Sequence, residues 1–288
     1  MQMLRNYAII FTLLFIGCAP GTDKKVAVQG TAAPTSTMNF YSESVKDSFS
    51  IFISLPEGYA DNNQYPVVYI LDANLYFDIF STIVKKYSEV GLLPPAILVG
   101  IGYKDFPMMD SLRCRDYTYP LAIPEYEMSV SGKADKFLSF IRNELVPEID
   151  TKYHVDKNKR VLMGHSLGGY FTLYALQQQL SSRDNLFGGY IAASPSLHYN
   201  HYYLLDAFEK LSKQDSNPAK VYTTFGGLED GESTEDSTML KTDESLSALS
   251  KSLKGKEGIE YKGEVFSNLD HMDTQLPSFV KGMQWVLQ

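Results

Sequence analysis

Apolar and polar positions in this chain alternate in blocks rather than residue by residue. Pro66-Val67-Val68-Tyr69-Ile70-Leu71 is an unbroken apolar run that stops at a polar corner, Asp72-Ala73-Asn74. So short a run with no polar face predicts a parallel strand covered by helices on both sides. Similar runs predict strands over residues 96–101, 160–163 and 190–193, and residues 221–225 and 260–266 also read as strands. Residues 49–56 are largely apolar and close on Pro56, as in a strand at or near a sheet edge. Between these runs the pattern is helical, over residues 75–87, 134–149, 167–179, 202–211, 238–253 and 277–287. In the second of these, Phe137, Leu138, Ile141, Leu145 and Ile149 share one face, and Pro147 is placed to kink or end the helix. Strands alternating with helices predict an α/β fold with a mostly parallel, doubly wound sheet and helices on both faces. Residues 102–131 carry neither period and read as a long irregular loop over the strand ends, where ligands bind in such sheets.

The first forty residues follow a different rule. Arg5 precedes a short apolar run, residues 7–16, that ends in Phe15-Ile16-Gly17-Cys18. This resembles a bacterial lipoprotein signal, with Phe15 where leucine is usual, and implies cleavage before Cys18 and lipid on its thiol. Residues 1–17 are then the signal, 18–38 a polar tether, and 39–288 one catalytic domain. The expected location is the bacterial cell envelope, with membrane contact through the lipid anchor only; a periplasmic or secreted protein is the alternative. Of the two cysteines, Cys18 and Cys114, acylation removes the first, leaving no disulfide framework.

The 288 residues, 44% of them hydrophobic, suit one large core. Twenty-six basic against 34 acidic residues give a formal charge of −8 with no basic stripe, which argues against nucleic acid as a partner. No histidine–cysteine cluster has the spacing of a metal site, and no cofactor is expected.

The chemistry centres on Gly164-His165-Ser166-Leu167-Gly168, a Gly-x-Ser-x-Gly turn between a buried strand and a helix. Such an elbow strains the serine backbone and crowds the positions two residues to either side, hence the glycines. A serine hydroxyl needs a base, and the base an orienting acid. In the α/β-hydrolase fold these follow in the order serine, acid, histidine, in loops after strands. Of five histidines only His271 follows the last strand, so it is the candidate base. The loop after residues 221–225 offers Glu229, Asp230 and Glu232 as acids, and composition does not separate them. The oxyanion donors are expected to be the backbone N–H of Leu167 and one from the 72–74 corner, Ala73 ahead of Asn74. His165 is expected to turn away from Ser166 as support, and His198 to line the pocket or lie at the surface.

Several stretches resemble the esterase D-like family of the α/β-hydrolase superfamily, which includes siderophore, feruloyl and acetyl esterases. Tyr69-Ile70-Leu71-Asp72-Ala73-Asn74 is similar to its Tyr-x-x-Asp-Gly stretch, with Ala73 for glycine. Arg113-Cys114-Arg115-Asp116-Tyr117-Thr118 is similar to its Arg-x-x-Asp-x-Thr motif, although Tyr119 separates Thr118 from Pro120. Gly164 to Gly169 matches the nucleophile motif, Ser194-Pro195-Ser196-Leu197 the segment after the next strand, and His271 the family histidine. Gly226-Gly227-Leu228-Glu229 is similar to the family's Gly-x-x-Glu, and that likeness selects Glu229 as the acid. The resemblance implies a carboxylic ester hydrolase that works on a small-molecule ester through an acyl-enzyme on Ser166, without a cofactor. A siderophore trilactone esterase is one alternative, weighed against by the acidic charge; a non-catalytic surface protein on an esterase scaffold is another. Arg113 and Asp116 are expected to pair and fold the long loop beside the pocket, with a direct substrate role for Arg113 the lesser reading.

Overall fold

The strand β3 (Tyr65–Ile70) shows why the apolar runs are unbroken: all six residues are buried. Val67 and Tyr69 point into one core, Val68 and Ile70 into another on the opposite face. The computed structural model describes residues 35–182, 184–211, 218–232 and 240–288, apart from the side chain of Glu232. The expected signal, Cys18 and most of the tether lie outside these residues.

Among the described residues, eight strands form one sheet in the order β1-β2-β4-β3-β5-β6-β7-β8. The others are β1 (Thr35–Ser42), β2 (Asp47–Ser54), β4 (Ile97–Gly102), β5 (Val155–His165), β6 (Gly189–Ala193), β7 (Ala219–Gly226) and β8 (Ile259–Phe266). From β4 to β8 every pairing is parallel; only β1–β2 and β2–β4 are antiparallel. β1 takes in residues 35–38, which the sequence pattern assigns to the tether. Thr35, Ser36 and Thr37 are exposed, so only pairing with β2 marks this edge strand.

Helices α1 (Ala73–Glu89) and α9 (Gln275–Val286) cover one face, with Tyr76 and Phe80 against Phe279. The other face carries α2 (Phe106–Tyr117), α3 (Ala134–Phe140), α4 (Val146–Lys152), α5 (Leu167–Ser182), α6 (Tyr199–Glu209) and α8 (Thr242–Leu253); α7 (Glu229–Glu232) is a single turn. Among the described residues, no helix is long and apolar enough to cross a membrane.

Two sequence expectations change. The stretch 102–131 is not irregular throughout, because α2 occupies its centre. Asp105 caps that helix through the Met108 N–H at 3.0 Å, and Pro107 sits in the first turn. Its buried residues are Met109, Asp116 and Tyr117, one of them charged, so no apolar stripe marks it. Pro147, in turn, does not end its helix. Residues Ile141–Leu145 widen into a π turn in which the Val146 N–H reaches Ile141 O. The wider turn lets the helix continue through a proline that has no N–H to give.

Candidate active site

The parallel register brings the carboxyl ends of β3, β5, β6, β7 and β8 to one edge of the sheet, and the candidate residues stand there. Ser166 follows β5 with φ 59°, in the left-handed region. Its N–H donates to Ala193 O at 3.0 Å, and its own carbonyl accepts from Ser196 N–H at 3.1 Å and Tyr170 N–H at 2.9 Å. This turn needs its glycines: a Cβ on Gly164 would lie 2.4 Å from Gly168 O, and one on Gly169 2.9 Å from Ala193 O. The Ser166 hydroxyl lies 3.3 Å from that of Ser196. Ser196 lines a cleft shared with Ser194, His198, Tyr202, Phe225, Glu229 and His271.

His271 Nδ1 lies 2.9 Å from Glu229 Oε2. A carboxylate only accepts, so Nδ1 carries the proton and Nε2 the lone pair. The other oxygen, Oε1, accepts from Ser194 Oγ at 2.7 Å and from Gly226 N–H. Burial raises the Glu229 pKa, but the hydrogen bonds from His271, Ser194 and Gly226 outweigh it and hold the carboxyl below the ordinary range. Behind it, the buried hydroxyls of Ser194 and Thr274 meet at 2.6 Å, and Thr274 also reaches His271 O at 3.0 Å. Sequence reasoning missed Thr274; Ser194 was visible only as part of a motif.

Asp230 is exposed, as adjacency to the turn predicts, but it is not idle. Its carboxylate accepts from the Thr242 N–H at 2.8 Å and hydroxyl at 3.3 Å, holding the first turn of α8. The side chain of the third candidate acid, Glu232, lies outside the described residues.

The 72–74 corner joins the end of β3 to α1. Asp72, not residue 73, takes the left-handed conformation, with φ 51°, and Ala73 begins α1. An alanine at 73 therefore meets no backbone penalty. Asn74 turns away to tie the end of β4, donating to Tyr103 O at 2.9 Å and accepting from Tyr103 N–H at 2.7 Å. The expected Arg113–Asp116 pair does not form. Arg113 instead forks onto Asp72 (3.0 and 2.8 Å) and also reaches His165 O at 3.3 Å. Asp116 is wholly buried and takes two N–H groups of Arg115 (2.8 and 3.0 Å) and the Tyr103 hydroxyl (3.1 Å). Each of the two buried carboxylates thus has a guanidinium on it, Arg113 on Asp72 and Arg115 on Asp116, and Arg115 also reaches the partly exposed Asp47 at 2.8 Å. Burial lowers the Arg113 pKa, Asp72 raises it, and the rise prevails. His198 lines the cleft, its pKa lowered by burial and then by His271. Cys114 is a free thiol, half-buried, with its pKa raised by burial.

His165 turns from Ser166 into the core, where it is 3% exposed. Its Nε2 lies 2.8 Å from His271 O and its Nδ1 3.1 Å from the Tyr76 hydroxyl. Burial, followed by the neighbouring His271, pushes its pKa down to about 4.

Comparison with known proteins bears on the family and the fold. The ferri-bacillibactin esterase BesA of Bacillus subtilis is 35% identical over 223 residues, 73% of this chain and 74% of that one. The apo-salmochelin esterase of Escherichia coli is 29% identical over 157 residues, 52% of this chain and 47% of that one. Among solved structures, the BES protein from Bacillus cereus superposes with a TM-score of 0.74 at 29% identity, covering 88% of this chain and 95% of that one. An IroE-like serine hydrolase from Shewanella oneidensis gives 0.73 at 25% identity, covering 88% and 80%. Residues 42–245 match the Putative esterase family, to which the chain belongs as a carboxylic ester hydrolase of the α/β-hydrolase fold.

Proposed function

We propose that the chain is a siderophore esterase, a serine hydrolase that opens the ester bonds of a siderophore with Ser166 as nucleophile, His271 as base and Glu229 as orienting acid. The observation that carries the substrate class is the 35% identity with a ferri-bacillibactin esterase across 73% of this chain. The Glu229–His271 pair at 2.9 Å supports catalysis over a non-catalytic surface role. In the first step the Ser166 proton passes to His271 Nε2 as Oγ bonds to the ester carbonyl carbon. The oxyanion is stabilised by the N–H groups of Leu167 and Ala73, at the start of α5 and α1. The ester C–O bond then breaks and the alcohol leaves with the proton from His271. Water repeats the sequence and frees the acid. Tyr202 and Phe225 give the cleft aromatic walls suited to the rings of a catecholate siderophore.

The test compares hydrolysis of ferri-bacillibactin, enterobactin and a short-chain nitrophenyl ester by the wild type and Ser166→Ala, with fluorophosphonate labelling of both proteins. Faster turnover of a trilactone than of the nitrophenyl ester, lost in Ser166→Ala, is the expected result. Preference for the simple ester removes the siderophore reading and leaves the esterase.

We also propose that the enzyme is held in the bacterial cell envelope through lipid on Cys18, a proposal supported by the Phe15-Ile16-Gly17-Cys18 stretch, with a periplasmic or secreted form as the alternative. Mass spectrometry of the membrane fraction decides: an intact peptide spanning Gly17-Cys18 is incompatible with the anchor.

A further inference from the structure

The residue before the candidate nucleophile is unusual for what its side chain holds. His165 is locked from both sides. A carbonyl oxygen cannot donate, so the contact with His271 O at 2.8 Å places the His165 proton on Nε2. Nδ1 is then a bare lone pair, and the Tyr76 hydroxyl at 3.1 Å donates to it. The two imidazoles lie with centroids 4.8 Å apart. The carbonyl so gripped belongs to His271 itself, 106 residues away in the chain. His165 is also fixed to the elbow by sequence, one residue from Ser166, and by the Arg113 N–H on its own carbonyl at 3.3 Å.

We propose that His165 is a positioning residue that sets the separation of base from nucleophile, by tying the backbone of His271 to the residue next to Ser166. This rests on the reading of Ser166 and His271 as nucleophile and base. The loop carrying His271 hangs from β8, an edge strand with no buried residue, and so has little core packing of its own. The elbow, by contrast, is bonded to β6, and residues 164–168 are buried except for the part-exposed Ser166. The His165 link, beside the Thr274 hydroxyl on the same carbonyl, ties the backbone of the base to that elbow. The grip requires a proton on Nε2, and in the neutral ring the Tyr76 hydroxyl, by donating to Nδ1, holds the tautomer that has it.

Two substitutions separate this role from mere packing. In His165→Gln the amide nitrogen stands the same number of bonds from Cβ as Nε2 and can still donate to His271 O. In His165→Asn it is one bond short and cannot. Both are polar and smaller than histidine, so a purely structural role treats them alike. The assay is nitrophenyl ester turnover with kcat and KM resolved, alongside thermal unfolding. His165→Asn is expected to lose about 100-fold in kcat with KM little changed, the scale of a misplacement of about 1 Å. His165→Gln is expected to keep kcat within about tenfold of wild type, one hydrogen bond's worth. Equal kcat for the two variants overturns the proposal. If neither variant folds, Tyr76→Phe decides, because it leaves His165 in place and frees its tautomer: a fall in kcat at unchanged KM supports the role, and wild-type kcat overturns it. Fluorophosphonate labelling of Ser166→Ala runs beside these. Labelling equal to wild type there removes the underlying reading of Ser166, whatever the His165 variants do.

Discussion

Replacing Glu229 by glutamine changes one oxygen for an NH₂, and the structure dictates which one. Oε1 receives two donors, the Ser194 hydroxyl at 2.7 Å and the Gly226 N–H. An amide nitrogen at that position would meet the Gly226 N–H, which can only donate, and would turn the Ser194 hydroxyl away, at a cost of about 1–3 kcal/mol for the unmatched N–H. The amide carbonyl therefore takes the Oε1 position and the NH₂ faces His271 Nδ1, at 2.9 Å in the wild type. To accept from it, His271 must move its proton to Nε2, the nitrogen that serves as base. Holding the ring in the wrong tautomer costs serine proteases about 10⁴ in kcat, or about 5 kcal/mol of activation free energy, and a similar loss is expected here. Steady-state hydrolysis of a short-chain nitrophenyl ester measures it, with circular dichroism to establish that the variant folds. Asp230→Asn is the control: its amide oxygen still accepts the Thr242 N–H, so activity stays near wild type and stability falls by less than about 1 kcal/mol. A folded Glu229→Gln that keeps more than about a tenth of wild-type kcat would refute the tautomer argument. A large loss in Asp230→Asn would move the acid one residue along.

Two further outcomes follow from the same geometry. Arg113→Met leaves the Asp72 carboxylate, whose side chain is only 3% exposed, without its counter-charge; a loss of about 3–5 kcal/mol in chemical denaturation is expected, and a loss under about 1 kcal/mol would show that Asp72 finds another partner. His165 predicts an acid-side loss of stability. Its folded pKa of about 4 lies below histidine's ordinary 6.5, so between these values the unfolded chain binds the proton that the folded chain, with Tyr76, His271, Arg113 and Asp72 around the ring, refuses. Its contribution is complete above about pH 6.5 and declines as pH falls towards 4, by about 3 kcal/mol in all. Urea unfolding of the wild type and His165→Gln across this range checks it, because the variant should lack that part of the slope.

Much of the architecture could be read from local pattern. An apolar run of six with no polar face demands cover on both sides, and β3 has it. The glycines at 164, 168 and 169 announce the elbow because their Cβ positions are filled by backbone or by neighbouring side chains. The order serine, acid, histidine placed nucleophile, acid and base after β5, β7 and β8, the family likeness selected Glu229 among the acids, and the parallel sheet brings these strand ends to one edge. These are short-range rules, and residues within a few positions of each other suffice to state them.

What local pattern could not decide is who meets whom across the sheet. Arg113 finds Asp72 from 41 residues away rather than Asp116 from three: the fold buries both carboxylates, and the adjacent Arg115 already neutralises Asp116. Helix α2 escaped notice because it buries an ion pair where periodicity looks for an apolar stripe. Ser194, Thr274 and Glu229 form one hydrogen-bonded network only because β6, β7 and the start of α9 end side by side. His165 reads in sequence as the filler of an elbow, and its grip on the His271 carbonyl exists only once β5 and the loop after β8 reach the same edge. Periodicity reports how each segment hides its own surface from water. The partners of buried charges and lone pairs depend on strand order and register, which bring together residues far apart in the chain.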